Sequence, residues 1–278
     1  MRKAMMFCLI LIAAVADAAT DKRVHKTISL GADGSVSLDT HNGTIVVTTW
    51  NQPTVDVNAR IEPGEWTSSD DVEKTQIKVT GSANNVRIES DYSDVPTRFT
   101  WFGVSRNLPL VHYTISMPAT ARLSIEDHNA NVRVTGLRND LRVSSHNGSV
   151  EVADLDGAAE IETHNGDVRV AYSRFAKSSS IETHNGGIDL RLPTSSRFHV
   201  NANGHHMDVN SEFPTVVTKS PREGRYVGDV TTARAAGIRQ GAALPYNGVI
   251  ARQRTDRLRR AGAARQASRP PSPRAASH

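Results

Sequence analysis

Apolar and polar residues alternate along most of this chain. In Val150-Glu151-Val152, Val168-Arg169-Val170 and Ile188-Asp189-Leu190-Arg191-Leu192 every second side chain is apolar. Upstream of these, Leu123 with Ile125, Leu141 with Val143, and Ile161 and Ile181 supply further apolar positions. A period of two sends neighbouring side chains to opposite faces of a strand, so the pattern predicts β-structure rather than helix. Earlier strands are predicted at Val46–Thr49, Thr54–Ile61, Gln76–Thr80, Val86–Ser90 and Val111–Met117.

A short phrase punctuates the alternation. It reads His41-Asn42-Gly43, His128-Asn129-Ala130, His146-Asn147-Gly148, His164-Asn165-Gly166 and His184-Asn185-Gly186, each followed by a strand-like run. From His128 to His184 the histidines lie 18, 18 and 20 residues apart, and Ala202 falls 18 beyond in the same slot. Degenerate copies end in Asn203-Gly204 and Asn247-Gly248. Asn and Gly tolerate the backbone conformations of a tight corner. One such unit cannot bury its apolar face alone, but stacked units can.

The expected fold class is therefore all-β, a parallel β-solenoid of stacked coils of 18–20 residues, with an antiparallel β-sandwich as the alternative. Regular coils are expected over 121–210, within one domain spanning 19–250. Lys22–Tyr113 reads as an irregular opening part, in which the gap from His41 to His128 holds degenerate coils or a cap. Ser211–Ala243 reads as a hairpin-like excursion before a closing coil.

Composition changes this picture at the two termini. Arg2 and Lys3, an apolar run over Met5–Val15 and Ala16-Asp17-Ala18 read as an export signal over residues 1–18. No later stretch is apolar enough for a transmembrane helix. The one cysteine, Cys8, lies in the signal, so a mature chain would carry no disulfide, thiolate nucleophile or Cys-based zinc site. From Arg252 to the end there are eight Arg against one acid, Asp256, which leaves the repeat region mildly acidic. The segment 251–278, rich in Arg, Ala, Ser and Pro, reads as disordered.

The repeated His-Asn-Gly-x-Val-x-Val unit after an export signal resembles the uncharacterised bacterial adhesin-like β-strand-repeat family. Arg225-Tyr226-Val227-Gly228-Asp229, Leu244 and Asn247-Gly248-Val249-Ile250 are similar to that family's final coil. The resemblance spans Leu38–Ile250 and implies a β-solenoid in the periplasm or at the cell surface. It implies no established activity, because the repeated motif is structural. Histidine before Asn departs from the usual small polar residue of that slot.

Several readings of the distinctive residues stay open. Stacked in register, the histidines would form a ladder with rings about 5 Å apart, serving ring stacking and turn hydrogen bonds. A sharper reading is metal capture, with His205 and His206 adding ligands. Another is pH sensing, since charged neighbours would repel and loosen the stack. No metal or cofactor is assigned on this pattern.

Enzyme readings fare poorly. Glu151, Glu160, Glu162, Asp167, Glu182 and Asp189 fall at alternating or turn positions and read as a solvated face. The aromatic stretch containing Trp101 and Phe102, flanked by Arg98 and Arg106, and with Trp50 and Trp66 as the other tryptophans, reads as a cap over the stack. Its alternative is a ligand-contact loop built on Arg98, Trp101 and Phe102. The basic tail reads as a linker or as a tether to anionic polymer or lipid. The expected role is a non-enzymatic scaffold whose partners are envelope polysaccharide, a lipid surface or another envelope protein, and not nucleic acid.

Overall fold

The computed structural model describes residues 21–253, apart from 101–102, 106, 205–207, 212–214, 220–224, 231–237 and 242–246. Over 98–105, and from Gly204 onward with Val227 apart, it describes the backbone alone. The expected signal and all but the first three residues of the expected tail lie outside the described residues.

The first half of the chain forms β1 (Lys22–Ser29), β2 (Ser35–Asp39), β3 (Asn42–Trp50), β4 (Thr54–Glu62) and a short helix α1 (Ser69–Lys74). It continues with β5 (Gln76–Ser82), β6 (Asn85–Asp91), the hairpin of β7 (Arg98–Thr100) and β8 (Gly103–Ser105), β9 (Leu110–Pro118) and the long β10 (Arg122–Thr135). Regular pairs follow: β11 (Leu141–Asn147) with β12 (Val150–Leu155), β13 (Ala159–Asn165) with β14 (Val168–Tyr172), and β15 (Ser179–Asn185) with β16 (Ile188–Arg191). The chain closes with β17 (Phe198–Gly204), β18 (Asp208–Ser211), β19 (Thr215–Lys219), β20 (Arg225–Val230), β21 (Ile238–Gly241) and β22 (Asn247–Gln253).

Twenty strands hydrogen-bond into one network, which β10 divides into two rows. The first row runs β5, β6, β2, β10, β11, β13, β15, β22, β17, β20, β19. The second runs β1, β4, β9, β3, β10, β12, β14, β16, β21, β18. Each regular coil places one strand in each row and turns between them at its Asn-Gly corner. In β10 Ala130 replaces glycine, and the strand runs through the corner unbroken.

The all-β expectation holds, but parallel stacking does not extend along the whole chain. Pairing is parallel from β6 to β15 in the first row and from β9 to β16 in the second. At both ends it becomes antiparallel. A parallel stack exposes unpaired N–H and C=O groups at its last strands, and reversing strands can cover them.

Two details correct the sequence reading. The strand holding Asn203-Gly204 does not continue the regular coils. β22 lies between β15 and β17, and Asn203 and Gly204 pair antiparallel with Gly248 and Asn247. Ala202 is buried, which places it on the inward side and not in the histidine slot. The opening region is also more regular than expected, because β6 and β9 form a coil beneath β2 and β3. The gap thus holds both a coil and its antiparallel cover of β4 and β5.

Like residues rest on like residues inside. Ile125, Val143, Ile161 and Ile181 follow one another in the first row, and Val132, Val150, Val168 and Ile188 in the second. All eight are buried. Burial of each such side chain contributes about 1.5–3 kcal/mol. Near the closing end Tyr172 and Phe175 pack edge to face at 5.1 Å, and Phe175 and Phe198 at 6.3 Å.

Candidate functional site

The sequence-predicted histidines come together in one row. Ring centroids are 4.6 Å apart for His41 and His128, 4.7 Å for His128 and His146, 4.9 Å for His146 and His164, and 4.5 Å for His164 and His184. The last three pairs are stacked within 9° of parallel, whereas His41 is tilted by 38°. The step is the spacing between strands.

One residue along, the asparagines form a hydrogen-bonded ladder. Each side-chain amide donates to the Oδ1 of the coil before: Asn129 to Asn42 at 2.8 Å, Asn147 to Asn129 at 2.6 Å, Asn165 to Asn147 at 2.7 Å and Asn185 to Asn165 at 2.7 Å. The glycines come next and permit close approach. A Cβ on Gly43, Gly148, Gly166 or Gly186 would meet a carbonyl oxygen of the neighbouring coil at 1.9–2.1 Å.

Just inside the histidine row lies a column of hydroxyls interrupted by one acid. Asp127 pairs with Ser145, Ser145 with Thr163, and Thr163 with Thr183. Asp127 Oδ1 accepts from the Ala130 amide at 2.8 Å and from the Ser145 hydroxyl at 3.0 Å. Its Oδ2 is buried and accepts no hydrogen bond from the described residues. Burial, only partly offset by those two bonds, pushes the Asp127 carboxyl up to about 6.

Two depressions flank this column. A cleft of about 630 Å³ is bordered by Asp39, His41, Tyr92, Glu126, Asp127 and His128. A groove of about 300 Å³ runs along Asp127, His146, Glu162, His164, Glu182 and His184. Burial raises the Asp39 carboxyl, with Glu126 and Glu89 adding to the effect against Arg87. Beside the cleft, the Lys78 ammonium and the Ser93 amide hold Asp91 down at about 2.

The carboxylates two residues before the histidines were legible only in part. Glu162 and Glu182 read as solvated positions, and Asp39 and Glu126 were missed. The available signal was a carboxylate two places before His41, His128, His164 and His184, where a strand returns to the same face.

The other candidates lie in other parts of the fold or outside the described residues. Asn203-Gly204 and Asn247-Gly248 lie in the antiparallel closing strands. Trp101 and Phe102 fall outside the described residues, as does the Arg98 side chain. Trp50 is half-buried and donates its indole N–H to the Thr54 carbonyl at 2.8 Å, while Trp66 is 80% exposed. Among the described residues no group of three or more His, Asp, Glu or Cys is arranged to hold a metal ion. No helix among them is long and apolar enough to cross a membrane.

Stacked coils with in-register His, Asn and Gly rows define an all-β repeat protein whose motif serves its own stacking. The chain belongs to the Toastrack DUF4097 family, whose profile matches residues 23–232. It is also similar to the crystal structure of a proposed cell adhesion protein from Clostridium sporogenes ATCC 15579, at 13% identity and a TM-score of 0.34. That likeness covers 57% of this chain and 76% of the other. No functionally curated relative matches the sequence.

Proposed function

We propose that this protein is an exported, non-enzymatic, adhesin-like scaffold of the cell envelope, built on a β-solenoid core and preceded by a leader over residues 1–18. The observation that carries the reading is where the repeated residues go. Asn147 and Asn165 hydrogen-bond along the stack, Gly148 and Gly166 let coils close up, and Val150 and Val168 fill the core. The repeat thus builds a regular outer surface with one row of side chains per strand spacing. Two of the outer acids act as ion-pair partners: Glu151 takes Arg133 and Glu160 takes Arg142, both at 2.8 Å. Such a surface suits a repeating polymer or an extended partner, so the partner class is envelope polysaccharide, lipid surface or another envelope protein.

The test is equilibrium binding of the full chain to purified cell-wall polysaccharide and to anionic lipid vesicles, with polymer length followed in parallel. Saturable binding with unchanged polymer supports the scaffold. Shortening of the polymer, or no binding to either, defeats it. A metal-responsive role for the histidines draws no support from the stack, because rings lined up face to face do not converge on one point.

A further inference from the structure

The first row carries an outward column of acids beside the histidines. By strand pairing it runs Glu89, Asp39, Glu126, Ser144, Glu162, Glu182. All six are exposed or half-exposed. Arg87 serves the lower end, 3.4 Å from Glu89 and 3.6 Å from Asp39. Among the described residues no cation ion-pairs Glu126 or Glu162. The second row is arranged differently, because its outward column alternates in sign as Arg133, Glu151, Arg169, Asp189. One face therefore balances its own charge, and the other keeps an acidic strip along the histidine edge.

The acidic strip borders the groove beside Asp127, whose buried Oδ2 accepts no hydrogen bond from the described residues. An extended, cationic occupant matches this strip. Guanidinium groups meet that description, since they pair with carboxylates through two parallel hydrogen bonds. This chain holds such a segment: residues 254–278 carry seven Arg and one acid. The last strand, β22, pairs with β15, which holds Glu182 and His184. Ala251 pairs with Ser179, three residues before Glu182 on the same strand, so the segment starts within its own reach of the acidic column. Fully extended it reaches about 80 Å. The column crosses five strand spacings, about 24 Å.

We propose that the Arg-rich C-terminal segment, residues 254–278, lies across this face of its own chain and is held by Glu126, Glu162 and Glu182. The proposal stands apart from which envelope polymer the scaffold binds.

The test uses the full chain with Cys8→Ser and spin labels at Ser144→Cys and Ser268→Cys, read by electron–electron distance measurement. A short-distance population is expected in about 20 mM salt and is lost in about 1 M salt, where charges are screened within a few ångströms. Glu126→Gln, Glu162→Gln and Glu182→Gln combined should also abolish it, with circular dichroism unchanged. Distances insensitive to both salt and the triple variant overturn the proposal. So does a short distance that appears only between chains carrying one label each, which assigns the face to a second copy.

Discussion

A Cβ placed on Gly166 would stand 2.1 Å from the carbonyl oxygen of Gly148 in the coil below. The contact is with backbone, so no side chain can swing away to relieve it. Gly166→Ala should destabilise the fold by about 3 kcal/mol through overpacking. Gly64→Ala, where the nearest oxygen lies at 3.2 Å, should cost under about 1 kcal/mol. Urea unfolding of the two variants checks the contrast.

Asn147 both donates to Asn129 and accepts from Asn165. Asn147→Ala removes both bonds and leaves a donor on one neighbour and an acceptor on the other. The expected loss is about 1–3 kcal/mol. A double-mutant cycle with Asn165→Ala should show non-additive losses, because the two changes share one bond.

His146 has a stacked ring on each side, whereas the His41 ring is tilted by 38° against that of His128. His146→Ala should cost about 1 kcal/mol and more than His41→Ala, given what aromatic pairs contribute. Equal losses would mean that stacking contributes little to the ladder.

Asp127 predicts a pH effect with a definite sign. Its carboxyl stands at about 6 in the fold against an ordinary 3.8. Between those values the folded chain keeps a proton that the unfolded chain has released. Stability from this group therefore falls as pH rises through that window, and the full cost is present above about pH 6. Asn imitates the protonated acid, so Asp127→Asn should gain about 2 kcal/mol at pH 7.5, after allowing for part-exposure. The same variant should match the parent near pH 4. Stability differences measured at the two pH values decide it.

Much of the fold was legible because each coil repeats its own instructions. Alternation at Val150-Glu151-Val152 names an inward and an outward side, and Asn147-Gly148 names the corner. The lower coil was harder to see. β6 and β9 lack the His-Asn phrase and are separated by residues 92–109, so no spacing advertises them. The candidate site was read only by half for a related reason. The histidines announce themselves by identity, but Glu126 and Glu162 become one column only when coils stack, and single exposed acids look alike in sequence.

The sequence alone determined strand type, the corner positions and which side chains face inward, because those depend on residues close together in the chain. The order of stacking was decided only in three dimensions. His41 lies 87 residues before His128, yet their rings stand 4.6 Å apart, with the β6–β9 coil placed beneath rather than between them. Likewise β22 returns from the end of the chain to lie against β15 ahead of β17. Backbone hydrogen bonding accepts any strand of suitable register and direction, so local pattern names the coils but leaves their neighbours to the packing of the whole.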